Sequence, residues 1–152
     1  MIEVKGNLWS YLPDATVRVI TTNGSLKKNG ENVMGAGCAY EAARQFPSLP
    51  EQLGKRFKKK GNIVQMFSPD TFGTDYILIT FPTKNEWHEN ADPDLIFKSA
   101  CLLADLADFM SWKSIVMPRP GCGKGNLSWK RDVKPILHRL LDDRFYVISH
   151  AN

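Results

Sequence analysis

The sequence predicts a three-layer α/β/α sandwich with a mixed central sheet of about six strands. Three observations carry this. Short runs rich in β-branched and aromatic residues alternate with longer segments of helical periodicity along most of the chain. One pair of runs, residues 63–67 and 76–80, is joined through Pro69, Asp70 and Gly73, so these two can form a hairpin and one antiparallel pair. No linker, internal repeat or low-complexity tract interrupts the sequence, so residues 1–152 read as one domain with a sizeable core.

Taken in order, Ile2-Glu3-Val4-Lys5 alternates as a strand does, and Gly6-Asn7-Leu8-Trp9 closes it. Thr16-Val17-Arg18-Val19-Ile20-Thr21 is a second strand of strong β type. A polar stretch over 23–32 follows, broken at Gly24 and Gly30. Val33-Met34-Gly35-Ala36-Gly37-Cys38-Ala39 opens a helix that runs to about Phe46 and stops at Pro47. Ser48-Leu49-Pro50-Glu51 has capping-box spacing and starts another helix, ending near Lys60-Gly61. After the hairpin strands, residues 81–92 read as a loop holding Lys84, Trp87 and His88. Asp92 and Pro93 then serve as N-cap and first residue of a helix with apolar positions at Leu95, Ile96, Ala100, Leu102, Leu103 and Leu106. Ile115-Val116-Met117 is a short buried strand. Beyond it, Val133, Ile136, Leu137, Leu140 and Leu141 form a helical stripe, with Pro135 marking a kink or a late start. Phe145-Tyr146-Val147-Ile148 is the last strand.

Composition narrows the setting. With 43% hydrophobic and 24% charged residues the chain has an ordinary globular make-up. It has no apolar run that could span a bilayer and no secretory signal at its start, so a membrane partner is not expected. Three cysteines without CxxC spacing point to a reducing, cytoplasmic environment. The net charge of +4 suits an anionic ligand or nucleic acid, and Lys58-Lys59-Lys60 reads as the solvated end of a helix. His88, His138 and His150 show no metal spacing, and no metal or cofactor is expected. His138 lies among helix apolar residues and reads as structural.

The chemistry gathers in loops that follow strands. Pro118-Arg119-Pro120-Gly121-Cys122-Gly123-Lys124-Gly125-Asn126 places three glycines between a strand and a helical pattern. Such a turn brings bare backbone N–H groups up to an anion. A second glycine turn, at Gly35 and Gly37, also ends in a helix start. Two such turns facing each other can clasp a diphosphate. Neither is a Walker loop or a dinucleotide fingerprint, since no GxxxxGK[ST] is present and no GxGxxG follows the first strand.

Over nearly its whole length the chain resembles the macro domain family. Gly6-Asn7-Leu8 stands where that family has Gly-Asp-Ile/Leu, and Val19-Ile20-Thr21-Thr22-Asn23 matches its Val-Asn-x-x-Asn strand end. Val33 to Gly37 matches the first phosphate loop and Pro118 to Gly123 the second. Phe81-Pro82-Thr83-Lys84 with Trp87 is similar to the lysine motif of the bacterial antitoxin that removes ADP-ribose from thymidine in DNA. Gly121-Cys122-Gly123 with Leu127 and Trp129 is shared with that antitoxin and with the terminal ADP-ribose glycohydrolase.

The resemblance implies ADP-ribose binding and hydrolysis of the bond at its distal ribose, on modified DNA or protein, with Lys84 as the catalytic residue. A lysine amine can attack an anomeric carbon or reposition an opened sugar when it is partly desolvated. Asn23 and Thr22 would meet the distal ribose; Met34, Gly35, Ala36, Gly37 and Cys38 would line the phosphates; and Pro118, Gly121, Cys122, Gly123, Lys124, Gly125 and Asn126 would wrap the second phosphate and ribose. Asn7 and Leu8 would hold the adenine, with His150 covering it. The plainer readings are a strand-end lysine, a turn asparagine and a tight strand-to-helix turn. Three positions depart from the family. Asn7 replaces an acid and weakens the expected adenine contact, and Ile20 replaces an asparagine. Gly125 stands where the human terminal ADP-ribose glycohydrolase has a second catalytic aspartate; the DNA-directed antitoxin lacks that acid too, so the glycine favours the DNA-type branch and also leaves open binding without turnover. Two rival functions therefore stand beside hydrolysis: an ADP-ribose reader without turnover, and an ADP-ribose 1″-phosphate phosphatase or O-acetyl-ADP-ribose deacetylase. A monomer is expected. The partner-binding region that follows the antitoxin's macro domain has no counterpart before Asn152, so a toxin-like partner is not expected from this sequence.

Overall fold

The computed structural model describes residues 1–150. Six strands form one sheet: β1 (Ile2–Lys5), β2 (Val17–Asn23), β3 (Gln65–Phe67), β4 (Ile77–Lys84), β5 (Ile115–Pro118) and β6 (Phe145–Ser149). Their order across the sheet is β1-β6-β5-β2-β4-β3. Five strands run parallel, and β3 alone runs antiparallel to β4. Helices α1 (Gly37–Gln45) and α2 (Leu49–Lys60) cover one face, and α4 (Pro93–Met110) and α5 (Lys134–His138) the other; α3 (Pro69–Phe72) is a single turn inside the β3–β4 hairpin.

Alternation within the strands builds both cores. Val17, Val19, Ile79, Phe81, Ile115, Met117, Phe145 and Val147 point toward α4 and α5, packing with Leu103, Ala107, Val133 and Leu137. Ile20, Leu78, Val116 and Ile148 point toward α1 and α2, meeting Ala39, Ala42, Leu49, Leu53 and Phe57. Burial on both faces explains why β4 and β5 read as near-continuous apolar runs.

Several local expectations change. The segment from Phe81 to Lys84 is not loop but the end of β4, in register with β2 up to Asn23↔Lys84. Pro82 is accommodated beside a register irregularity, where Thr22 pairs with Pro82 but Asn23 with Lys84, and a proline is tolerated where ladder bonding lapses. The capping box at Ser48 does not form. Ser48 is itself helical (φ −84°, ψ −7°), and its hydroxyl accepts from the Gln52 amide at 3.0 Å. The Leu49 N–H is already bonded to the Phe46 carbonyl (2.9 Å), so the chain enters α2 through a turn. Asp92, by contrast, caps α4 by accepting from the Asp94 N–H at 2.9 Å, as the sequence predicts. Pro135 marks a late start: a π-helical turn over Trp129–Val133 precedes α5, which ends at His138 and leaves Leu140 and Leu141 in a closing turn. His138 is exposed at that end and is not a core residue.

Arg18 is the largest fully buried side chain, on the α1/α2 face of β2, and no carboxylate pairs with it among the described residues. Its guanidinium donates instead to three carbonyls, Leu8 (2.8 Å), Tyr11 (2.8 Å) and Leu12 (2.9 Å), and lies 5.3 Å from the Tyr76 ring centre. Burial lowers its pKa from the usual range. Arg18 thus holds the 8–12 segment, which carries Leu8 after Asn7, against the sheet. Arg18→Met is expected to orphan those acceptors and cost about 3 kcal/mol, read as a fall in the urea unfolding midpoint.

Candidate functional site

The five parallel strands end along one edge of the sheet, and every loop singled out in the sequence leaves from that edge. The adjacent strands β2 and β5 diverge there. The chain leaving β2 reaches α1 on one face, and the chain leaving β5 reaches α5 on the other. Adjacent strands feeding opposite faces open a crevice outside their carboxyl ends, the common ligand position in open α/β sheets.

The first wall of the crevice is the Asn23–Gly37 segment. Asn23 accepts from the Ser25 N–H (3.0 Å) and donates to the Val33 carbonyl (2.9 Å). Asn32, fully buried, donates to the carbonyls of Asn23 and Ser25, both at 2.9 Å. Sequence reading assigned Asn23 to a ligand and passed over Asn32, whose position in a polar stretch gave no signal. Between them the two amides hold the path into Met34-Gly35. Met34 and Leu8 turn their side chains into the core beneath α1, so each can offer only backbone to the crevice. Thr22 is likewise buried, with a hydroxyl that has no partner among the described residues.

Helix α1 begins at this wall without the usual termination. Its N-cap is Ala36, no side chain bonds its first amides, and its first turn contains no acid. The leading N–H groups and the positive end of the helix dipole are therefore uncompensated by the protein, an arrangement that favours an anion. Cys38 does not contribute its thiol. Its sulfur lies 3.4 Å from both the N–H and the hydroxyl of Thr21, and burial raises its pKa.

The second wall is the loop after β5. Gly121 (φ +73°) and Asn126 (φ +64°) take left-handed conformations, and the Leu127 N–H closes the loop on the Gly121 carbonyl at 2.9 Å. Gly125 is packed: a Cβ there would stand 2.6 Å from the Ala91 Cβ and 2.6 Å from the Gly121 carbonyl. The carbonyl of Gly125 accepts from the Ala91 N–H (3.0 Å), and the Asn126 amide donates to Asn90 (2.9 Å), tying the loop to the start of α4. No side chain, acidic or otherwise, fits at 125 without moving backbone.

Gly35 and Gly123 differ from these. Neither has a positive φ, and a Cβ at either would meet nothing within 4 Å. One stands in each wall, and the protein's own packing requires glycine at neither. Open space over a bare backbone, repeated on both sides of the crevice, is what a closely approaching ligand requires.

Lys84 joins the walls. It is the last residue of β4, half-buried, and its Nζ donates to the Trp87 carbonyl (3.2 Å) and to the Lys124 carbonyl of the second loop (3.3 Å). Its own carbonyl accepts from the Gly24 N–H (3.1 Å) and from the Asn62 amide (2.9 Å), so the backbone beneath the amine is fixed. Trp87 does not pack into the core: it is 58% exposed and stacks edge-on with His88. Trp129, the other flanking tryptophan, is packed, with its indole N–H on Glu3 at 2.7 Å and the Arg119 guanidinium 4.9 Å from its ring. Lys134 and Trp129 bonding to Glu3 hold that carboxyl below its ordinary range.

At the far end, Asn7 follows β1, and its side-chain oxygen accepts from the Trp9 N–H at 2.8 Å. That leaves its NH2 group free to donate. His150 is exposed just after β6, whose Ser149 pairs with Lys5. No group of three His, Cys, Asp or Glu side chains able to hold a metal exists among the described residues. Cys122 is no nucleophile: burial pushes its thiol up to about 11, more than the neighbouring Arg119 offsets. At pH 8 Cys122 is expected to react with iodoacetamide on the order of 100-fold more slowly than an ordinary thiol, read by peptide mass mapping.

No family model and no curated protein matches the chain. Solved structures do. The macrodomain of Mycobacterium tuberculosis DarG superposes with a TM-score of 0.75 at 23% identity, over 97% of this chain and 98% of that one. Thermosipho africanus DarTG in complex with ADP-ribose gives 0.73 at 23% identity, over 96% of this chain and 40% of that longer one. The macrodomain of Thermus aquaticus DarG gives 0.69 at 22% identity, over 99% and 97%.

Proposed function

Starting from the macro domain fold that this chain has, we propose that it binds ADP-ribose between its two glycine loops and hydrolyses ADP-ribose from modified DNA or protein with Lys84. The diphosphate would lie between the amides of Gly35, Ala36 and Gly37 and those of Gly123 and Lys124, with adenine toward Asn7 and the distal ribose toward Lys84. The observation that carries the reading is the Lys84 amine, which donates to Trp87 on its own strand end and to Lys124 on the second glycine loop. An amine held between two carbonyls and paired with no carboxylate among the described residues is positioned for a developing charge or an anomeric carbon.

Calorimetry tests the binding half. ADP-ribose is expected to bind in the micromolar range, and ADP more weakly because it lacks the distal ribose. Absence of heat with ADP-ribose at millimolar concentration overturns the reading. A panel of ADP-ribosylated thymidine DNA and glutamate-linked peptide tests turnover. One observation favours a second reading, a reader without turnover: Gly125 is closed to any side chain, so the loop has no room for the acid that the terminal ADP-ribose glycohydrolase carries there. Tight binding with no product from either substrate selects it.

A further inference from the structure

We propose that the exposed face made by α2 and the 24–32 segment docks the phosphate backbone of a single nucleic-acid strand. Six lysines lie there, Lys27, Lys28, Lys55, Lys58, Lys59 and Lys60, all exposed. With Arg56, and against Glu31 and Glu51, they make seven basic residues to two acidic, a net +5. The whole chain carries +4, so everything outside this face sums to −1. The excess positive charge of the protein is therefore confined to one surface.

The fold brings these two segments together. A Cβ at Gly54 of α2 would overlap the Gly30 carbonyl, and the Asn32 N–H donates to the Pro50 carbonyl at 2.9 Å. A shallow depression between them is lined by Asn29, Gly30, Glu31, Glu51, Lys55 and Lys58. Only Lys55 has a carboxylate partner among the described residues, Glu51 at 3.1 Å. Five like charges held near one another without counterions repel. That cost is relieved by a polyanion.

The face also leads somewhere. Just beyond the C-terminal end of α2, Asn62 bonds the Lys84 carbonyl at 2.9 Å. Trp87, whose side chain is exposed beside Lys84, is anchored to the 24–32 segment through its backbone N–H on the Ser25 hydroxyl at 2.9 Å. Ammonium groups spread over two adjoining segments, with an exposed aromatic residue tied to one of them, suit the phosphates and bases of an unpaired strand. The ring favours this partner over an acidic peptide. The only large apolar side chain exposed on the face is Leu26, too little to insert into a membrane.

The inference rests on charge and on Trp87, not on ADP-ribose binding, so its test uses an unmodified, labelled single-stranded oligonucleotide followed by fluorescence anisotropy. Wild type is expected to lose affinity by about 100-fold between 50 and 200 mM salt, from roughly 0.7 per phosphate contact at the five unpaired lysines. Replacing Lys27, Lys28, Lys58, Lys59 and Lys60 by Gln is expected to weaken binding at least ~30-fold at 50 mM and flatten the salt slope. Lys98→Gln/Lys113→Gln/Lys130→Gln, outside this face, is expected to stay within about twofold. Trp87→Ala is expected to weaken binding about tenfold. Unfolding midpoints and ADP-ribose calorimetry on the Gln variant check that fold and crevice are intact. Three results overturn the proposal: the five-Gln variant binding as wild type does, the control losing as much, or polyglutamate competing as well as the oligonucleotide. Failure of ADP-ribose to bind would remove the proposed function and leave this result standing.

Discussion

Lys84→Ala is expected to slow ADP-ribose release on the order of 1000-fold, about 4 kcal/mol in the barrier, with KM and ADP-ribose affinity within about threefold of wild type. The split follows from position. Lys84 sits at the end of the crevice assigned to the distal ribose, while the diphosphate would be held by backbone amides that the substitution leaves untouched. Stability should barely change, since the side chain makes only two long bonds, at 3.2 and 3.3 Å, to carbonyls near the surface. Lys84→Arg is expected not to restore turnover, because a guanidinium stays protonated and cannot become a nucleophile. Undiminished product from Lys84→Ala, measured by single-turnover release from ADP-ribosylated DNA and peptide, would remove Lys84 from the chemistry.

Gly35→Val and Gly123→Val are each expected to reduce ADP-ribose affinity more than 100-fold while leaving the unfolding free energy within about 0.5 kcal/mol of wild type. Neither position has a positive φ, and a Cβ at either points into open space. The protein can accept the side chain. A ligand lying against the bare backbone cannot. Gly125→Ala should behave in the opposite order, losing about 3 kcal/mol of stability through overpacking against Ala91 and the Gly121 carbonyl. Chemical denaturation and calorimetry on the three variants separate the two kinds of glycine. A Gly35→Val or Gly123→Val protein that binds ADP-ribose as wild type does would mean the ligand never reaches that wall.

The comparison of loops shows why the site was only partly legible. The glycines at 35, 37, 121, 123 and 125 stand out in the sequence, but their reasons differ. Gly37 and Gly121 satisfy left-handed backbone, Gly125 satisfies packing, and Gly35 and Gly123 satisfy neither. Identical letters carry no record of what a Cβ would meet. The same holds for polar residues. Asn23 was visible at a strand end, yet Asn32, which fixes the same loop from a buried position, lies in a stretch with no periodicity to mark it. Arg18 stands in a strand of strong β type, and only the fold supplies the three carbonyls that let it be buried.

What the sequence determined by itself was the layered architecture and the placing of the loops, because strand alternation and helical periodicity are local and repeat over many residues. The order of the elements already implied that the glycine turns follow strands, and a parallel sheet sends such turns to one edge. What only tertiary structure decided was which groups come together: the Lys84 amine with the Lys124 carbonyl forty residues away, the Trp87 backbone with Ser25, and the exposed lysines of α2 with those of the 24–32 segment on one surface. The aromatic residue among the basic ones of α2, Phe57, is buried, and Trp87 lies far from them in sequence, so that surface is invisible in the chain. It exists because α2 and the 24–32 segment pack closely enough to exclude even a Cβ, and contacts between distant residues leave no period to read.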